Sequence, residues 1–170
     1  MRYCNAFVFL PDKGFARGGF DVEDGRFAAV FTDERDGEID LGGACVVPGL
    51  VDIHTHGAMG ADFSDGDADG LRRMGAHLAS VGVTSFAPTS MTLPYETLEA
   101  AFATAADLYD NRPEGCARVM GIHMEGPFFS EKKKGAQNGA YLKGPDFEGF
   151  RKLYEGCGGL VRRPVWAFRV

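Results

Sequence analysis

Two histidines stand one residue apart in the segment Pro48–Gly57, whose sequence is PGLVDIHTHG. Side chains alternate across a β-strand, so His54 and His56 point to the same side, together with Asp52. Neutral imidazole is the commonest side-chain ligand for zinc and similar metals, and two histidines at a strand's end can share one ion. An isolated His-X-His pair is equally compatible with an ordinary polar edge strand. The apolar residues before the pair and the glycine turn after it favour a metal site.

A carboxylate closes a second apolar stretch, Gly121–Phe129, whose sequence is GIHMEGPFF. By the same alternation, His123 and Glu125 share one face of this predicted strand. Glu125 precedes a Gly-Pro pair at the strand's end, where it would complete a mixed nitrogen and oxygen ligand set. A strand-end glutamate in a surface ion pair is the simpler alternative, but it leaves His123 on an apolar strand unexplained. We therefore predict a metal site formed by His54, His56 and Glu125.

The loop after this strand combines positive charge with small and amide side chains. Lys132, Lys133 and Lys134 could attract an anionic substrate to the predicted metal site, although a lysine run is more often a solvated loop. The following Gly-Ala-Gln-Asn turn at 135–138 offers backbone groups and two amides that can bind a sugar. His77 falls within a predicted helix, and we interpret it as a surface or packing residue.

The elements that must position these residues alternate between strands and helices from Val46 onward. Such alternation, in units of about 35 residues, is the signature of βαβ crossovers and a parallel sheet. The predicted order is strand 46–56, helix 67–81, strand 83–87, helix 94–110, strand 118–125 and a helix from Pro145 to Cys157. The predicted buried stripes of the helices are Leu71, Met74, Leu78 and Val81, then Leu98, Ala101, Phe102, Ala105, Leu108 and Tyr109, then Phe147, Phe150, Leu153, Tyr154 and Cys157.

The predicted fold class is α/β. A (β/α)8 barrel needs about 250 residues, whereas this sequence has 170. The segment 48–170 would therefore hold about three βα units of an incomplete, TIM-like (β/α)8 barrel, unless it forms a smaller α/β fold. Residues 1–47 differ, because short apolar runs and an Asp24-Gly25 hairpin signal predict a small β unit with a thin core.

The final stretch, residues 160–170, conflicts with the pattern before it. It begins like a buried strand but then carries Arg162, Arg163 and Pro164, and a proline inside a central strand removes a ladder hydrogen bond. A truncated or shifted reading frame near Arg163 is one hypothesis for this ending. Trp166 is assigned to the core.

Composition excludes several classes of function. A net charge of −6 and a pI near 5.2 argue against a nucleic-acid partner, because phosphate backbones require clustered cations. The four cysteines are far apart and form no CxxC pair, so a reducing cytoplasm fits best. The apolar run at the amino terminus is too short for a signal peptide or a membrane span, so no membrane partner is expected.

The two metal-site stretches resemble a known family. The segment Pro48–Gly57 is similar to the first barrel strand of the amidohydrolase superfamily. The segment Gly121–Phe129, together with the KKGAQ turn at 133–137, more narrowly resembles N-acetylglucosamine-6-phosphate deacetylases, and the resemblance extends over about residues 2–161.

This resemblance implies a (β/α)8 barrel with a small β-sandwich built from both chain ends, and a homodimer at full length. Residues 1–47 would then be the amino-terminal part of the sandwich, and residues 48–170 the first part of the barrel, truncated. The implied reaction is hydrolysis of the acetamide of N-acetylglucosamine 6-phosphate to glucosamine 6-phosphate and acetate, in amino-sugar catabolism. The implied cofactor is a divalent metal ion, with zinc first and iron or another divalent ion as alternatives.

The resemblance also assigns roles to individual residues. Glu125 matches the family's metal-binding glutamate, and Ala136 with Gln137 matches its substrate-contacting turn. His54 and His56 match the ligand pair of members that can hold a second metal.

The sequence also departs from the family. Two further metal histidines, the catalytic aspartate and the phosphate-binding residues lie in later strands of the family, and none of them is in this chain. We therefore expect an incomplete and inactive fragment, whose catalytic residue is unknown. Two alternatives stay open: another amidohydrolase, such as a deaminase or cyclic-amide hydrolase that shares the His-X-His strand, or a non-catalytic metal-binding fragment.

Overall fold

The computed structural model describes residues 1–167, with side chains described as far as Val165. The chain forms two compact units, of which the first is Met1–Pro48 and the second begins at Gly49. The boundary falls at the proline where the sequence changes from short β runs to alternating strands and helices. Trp166, assigned to the core from sequence, lies outside the residues whose side chains are described.

The first unit is a four-stranded sheet. Its strands are β1 (Arg2–Leu10), β2 (Gly14–Glu23), β3 (Arg26–Phe31) and β4 (Ile39–Val46), in the order β3-β2-β1-β4. The predicted hairpin is confirmed, since β2 and β3 pair antiparallel around Asp24 and Gly25. Both turn residues have positive φ, 50° and 71°, as a two-residue hairpin of this kind requires. The buried core is small, as expected: Ala6, Val8 and Phe20 form one cluster, and Cys4 and Phe31 are also buried.

The second unit contains parallel strands. They are β5 (Leu50–Thr55), β8 (Val83–Pro88), β9 (Arg118–Val119), β10 (Ile122–Phe129) and β11 (Val161–Ala167). The single strand predicted at 118–125 is divided between β9 and β10, and β10 continues to Phe129. A short antiparallel pair, β6 (Gly57–Ala58) and β7 (Ala61–Asp62), follows β5. Strand β8 pairs in parallel with β5 on one side and β9 on the other. A parallel bridge from Thr89 to His123 continues the contact to β10, which pairs in parallel with β11.

Strand β11 shows that the predicted conflict at Pro164 does not prevent strand formation. Pro164 lies opposite Met124 in the parallel ladder with β10. Among residues 1–167, β11 pairs with β10 alone, and an edge strand tolerates proline because one row of its backbone groups is unpaired.

Three helices connect the strands and confirm the mixed α/β class. They are α1 (Ala68–Ser80), α2 (Tyr95–Asp110) and α3 (Phe147–Gly156). Asp67 and Asp146 cap α1 and α3 by accepting hydrogen bonds from backbone N–H groups at their amino ends. No helix in the described part of the chain is both long and apolar enough to cross a bilayer.

The core of this unit lies between the helices and the parallel strands. Its largest fully buried side chains include Phe63, Phe86, Phe102 and Phe128, and burial of each such side chain contributes about 1.5–3 kcal/mol. Most of the predicted helix stripes are buried in this core. Four predicted members are wrong, because they lie where a helix ends or leaves the core and are 40% to 67% exposed: Val81, Tyr109, Phe147 and Tyr154.

Asp146 provides a test of how α3 is attached to α2. Its carboxylate accepts hydrogen bonds from Gly149 N at 2.9 Å and from the Tyr95 hydroxyl at 2.7 Å. These bonds lower the pKa of Asp146, with the Gly149 bond as the first cause and the Tyr95 bond as the second.

We expect Asp146→Ala to lower the free energy of unfolding at neutral pH, because α3 loses the side chain that caps its amino end. A carboxyl group with a lowered folded pKa stabilises above its unfolded value near 3.9, and that stability is lost as the pH falls. The difference between the two proteins should therefore shrink below about pH 4 in urea unfolding curves. Asp110→Ala, at an exposed residue near the end of α2, is the control and should show no such difference.

Candidate metal centre

The predicted ligands come together where two parallel strands present their side chains at the same edge of the sheet. His54 lies in β5, His56 follows that strand directly, and Glu125 lies in β10. Their ligand atoms form a nearly equilateral triangle. His54 Nε2 is 3.2 Å from His56 Nε2, and Glu125 Oε2 is 3.4 Å and 3.3 Å from these two nitrogens.

This triangle fits a small divalent cation. Tetrahedral zinc, with bonds of about 2.0–2.2 Å, separates its ligand atoms by about 3.3–3.6 Å. The three protein atoms therefore match one face of such a tetrahedron and leave the fourth vertex to another ligand. The three side chains are 24% to 46% exposed, so this vertex is accessible from solvent. Three protein ligands with an open position are typical of catalytic rather than structural zinc.

Thr89, which the sequence analysis did not single out, orients His56. The Nδ1–H of His56 donates to the Thr89 carbonyl oxygen at 3.0 Å. This bond selects the tautomer in which Nε2 keeps its lone pair, as metal-binding histidines generally require. Thr89 also binds Thr55 twice, because its N–H donates to the Thr55 carbonyl and its hydroxyl oxygen accepts from Thr55 N.

His123 shares the face of Glu125, as alternation predicts, but it is not part of the ligand triangle. It is 2% exposed, and its Nδ1–H donates to the Ile53 carbonyl oxygen at 3.0 Å. Burial lowers the pKa of His123, while the bond to Ile53 partly opposes this effect. The neutral imidazole thus links the strand of Glu125 to the strand of His54.

Gly126, the residue after Glu125, allows β10 to lie close to the loop after β8. Its φ is 79°, in the region that favours glycine, and a Cβ at this position would lie 2.1 Å from Thr92 Oγ1. A side chain here would therefore push the end of β10 away from the loop after β8.

A cavity of about 520 Å³ opens over the triangle. Besides the three ligands it is lined by Met91, Phe129, Lys133, Lys134, Gly135, Ala136, Gln137 and Val165. This volume lies within the range of small-molecule sites, about 300–1,000 Å³. Two of the three predicted lysines, Lys133 and Lys134, line it, whereas Lys132 does not.

The turn at 134–137 is held rigidly against this cavity. Gln137 is 5% exposed, and its side-chain oxygen accepts from Thr92 N at 2.7 Å. Lys134 Nζ donates to the Gln137 carbonyl at 3.1 Å, and Gln137 N donates to the Lys134 carbonyl at 3.2 Å. Ala136 remains exposed at the tip. The side-chain amide of Gln137, predicted to contact substrate, is thus engaged with the backbone after β8.

Parallel βα units whose strands bring two imidazoles and a carboxylate together define the class: an α/β chain with a possible metal site. No family model matches the chain. Curated relatives do, and they include N-acetylglucosamine-6-phosphate deacetylases from Bos taurus (35% identity over 165 residues, 94% of this chain and 39% of that protein) and Bacillus subtilis (32% over 162 residues, 91% and 41%).

Solved structures show a similarity to the same deacetylases. The deacetylase from Mycobacterium smegmatis superposes with a TM-score of 0.85 at 27% identity, over 98% of this chain and 43% of that one. A variant of the same enzyme, in complex with N-acetyl-D-glucosamine-6-phosphate, gives a TM-score of 0.83 at 28% identity. In sequence and in fold, this chain is similar to part of an N-acetylglucosamine-6-phosphate deacetylase. It spans about two fifths of the length of the curated relatives from cattle and B. subtilis.

The triangle predicts that each of its members is needed for metal binding. We expect His56→Ala to weaken Zn²⁺ affinity by more than about 100-fold, since groups that merely support a ligand are worth about 10–100-fold. Isothermal titration with Zn²⁺ measures the affinity. His77→Ala removes a histidine on α1 that lies outside the triangle and should bind as the unchanged chain does. Equal losses in both variants would contradict the assignment.

Proposed function

We propose that His54, His56 and Glu125 hold a divalent metal ion, zinc first and iron or another divalent ion as alternatives, for hydrolysis of an N-acetyl group. The proposed substrate is N-acetylglucosamine 6-phosphate, and the products are glucosamine 6-phosphate and acetate. The observation that carries this proposal is the triangle of ligand atoms, with sides of 3.2, 3.4 and 3.3 Å, beside an open cavity. The substrate is that of the deacetylases to which the chain corresponds.

We further propose that Met1–Pro48 belongs to a small β-sandwich and that the second unit is the first part of a (β/α)8 barrel, incomplete as it stands here. The parallel strands and the 39% to 43% share of the matched relatives support this assignment. Strand β5 supports it too, because Leu50, Val51 and Ile53 are at least 50% exposed on a strand that pairs only with β8 among the described strands. Barrel active sites lie at the carboxyl ends of the strands, and His54 and His56 lie at the carboxyl end of β5.

A bound divalent ion would supply Lewis-acid polarisation of the acetamide carbonyl and a more acidic water. The chain's own residues provide orientation. Thr89 and His123 fix the strands that carry the ligands, and Gln137 anchors the turn that borders the cavity. The exposed backbone at Ala136 is then available to the sugar.

Charge beside the cavity suits an anionic substrate. Lys133 and Lys134 line the same cavity as the triangle, and such cations raise the local concentration of an anion. We propose that they attract the sugar phosphate during binding. We also propose that the enzyme is cytoplasmic, because its proposed substrate is an amino-sugar phosphate, and that the complete enzyme is a homodimer.

Proton transfer to the leaving amine requires a further acid or base. Glu125 is the only carboxylate among the described residues that line the cavity, and it is already assigned to the metal. We propose that the catalytic aspartate is not supplied by these 170 residues. On this proposal the chain binds metal but lacks efficient turnover.

We expect the Zn²⁺-loaded chain to deacetylate N-acetylglucosamine 6-phosphate far more slowly than about 1 s⁻¹, the lower end of ordinary enzyme rates. Release of acetate, measured by a coupled assay, gives the rate. Glu125→Ala serves as the metal-site control and should abolish whatever turnover remains. Turnover at ordinary rates would overturn the proposal that the chain is incomplete, and preference for a cyclic amide would overturn the proposed substrate.

A further inference from the structure

His123 contains a buried polar atom whose role is not explained by the contacts described above. Its Nδ1–H donates to the Ile53 carbonyl, so its Nε2 carries a lone pair. That Nε2 is fully buried and has no hydrogen-bond partner. A buried acceptor without a donor costs about 1–3 kcal/mol, and native proteins rarely leave one without a reason.

His54 has the opposite requirement, because it carries a donor that needs an acceptor. Its Nε2 belongs to the ligand triangle, so in the metal-binding tautomer its Nδ1 carries the proton. Metal-ligating histidines almost always donate this second N–H to a neighbouring group. His56 does so to Thr89, whereas the described contacts of His54 Nδ1 include no such acceptor.

The two imidazoles lie in contact. The ring centroids of His54 and His123 are 4.6 Å apart and the ring planes are nearly perpendicular, at 84°. This spacing is short enough for a nitrogen of one ring to come within hydrogen-bonding distance of a nitrogen of the other. The last side-chain torsion of histidine has a broad energy profile, so a small adjustment of the His54 ring toward this contact is inexpensive.

We propose that His123 is a positioning residue whose Nε2 accepts a hydrogen bond from His54 Nδ1–H when metal is bound. The result is a continuous chain from the Ile53 carbonyl through His123 to His54 and the metal. This inference rests on the metal centre of the proposed function. It gives each ligand histidine its own orienting acceptor, the Thr89 carbonyl for His56 and the His123 imidazole for His54.

Two substitutions separate the two nitrogens of His123. The side-chain amide of His123→Asn places a donor near the position of Nδ1, and so keeps the bond to Ile53, but it has no acceptor at the position of Nε2. His123→Gln places its carbonyl oxygen near Nε2 and loses the bond to Ile53. A role in positioning His54 therefore predicts that the asparagine variant is impaired and that the glutamine variant is rescued.

The test is Zn²⁺ binding by the whole 170-residue chain and its variants, measured by isothermal titration. We expect His123→Asn to weaken Zn²⁺ affinity by about 10–100-fold, the usual effect of losing such a partner, and His123→Gln to stay within a few-fold of the unchanged chain. Thermal melting of the metal-free proteins reports packing separately. Because both variants disturb the same buried position, a purely structural role predicts parallel losses in melting temperature and in affinity.

Nitrogen-15 NMR of the imidazoles gives a second measurement. In the Zn²⁺-loaded chain, the His54 Nδ1–H proton should be protected from exchange, and His123→Asn should remove that protection. Unchanged affinity in His123→Asn, or equal losses in both variants, would overturn this inference while leaving the metal centre intact. If the unchanged chain bound no Zn²⁺, the proposed function would fail as well.

Discussion

The hydrogen bonds of Thr89 are the constraint on which the candidate metal centre depends. This residue is fully buried where β8 ends, between the strand that carries the histidines and the strand that carries the glutamate. It exchanges two hydrogen bonds with Thr55, accepts one from His56 and bridges to His123. Because Thr89 is fully buried and its bonds to Thr55 and His56 are partly buried, these bonds hold the ligand-bearing strands in fixed relative positions.

The geometry of the ligand triangle follows from this arrangement. Three lone-pair-bearing atoms lie within 3.4 Å of one another, a grouping for which a cation provides the natural compensation. Thr89 and His123 support the strands that carry the triangle, through their hydrogen bonds to His56 and Ile53. The turn at Gln137, which is bonded to Thr92, borders the cavity beside the triangle. The candidate site is therefore built on strands and on loops held by hydrogen bonds, which suits the fixed geometry that a metal site requires.

Much of the fold and part of the site could be predicted from the sequence. The order of strands and helices in the second unit and the hairpin at Asp24 and Gly25 follow from local periodicity and turn chemistry. The predicted burial of helix residues is wrong where it depends on whether other elements pack against them. Val81 and Phe147 fit their helical stripes but lie at helix ends that the core does not cover. The sequence pattern predicts that Pro164 conflicts with a strand, yet Pro164 lies in β11, at the edge of the described sheet.

The sequence by itself determined the kinds of ligand, their side of each strand and the parallel arrangement that sends them to one edge. These properties depend on covalent geometry and on a side-chain period of two, which act over a few residues. Only the tertiary structure decided that the ligand atoms approach to within 3.4 Å, that His123 reaches Ile53 and that Gln137 turns toward Thr92. The contact of His123 with Ile53 joins residues 70 positions apart, and that of Gln137 with Thr92 joins residues 45 positions apart. Their formation depends on strand register and packing against distant segments, which no local pattern in the sequence specifies.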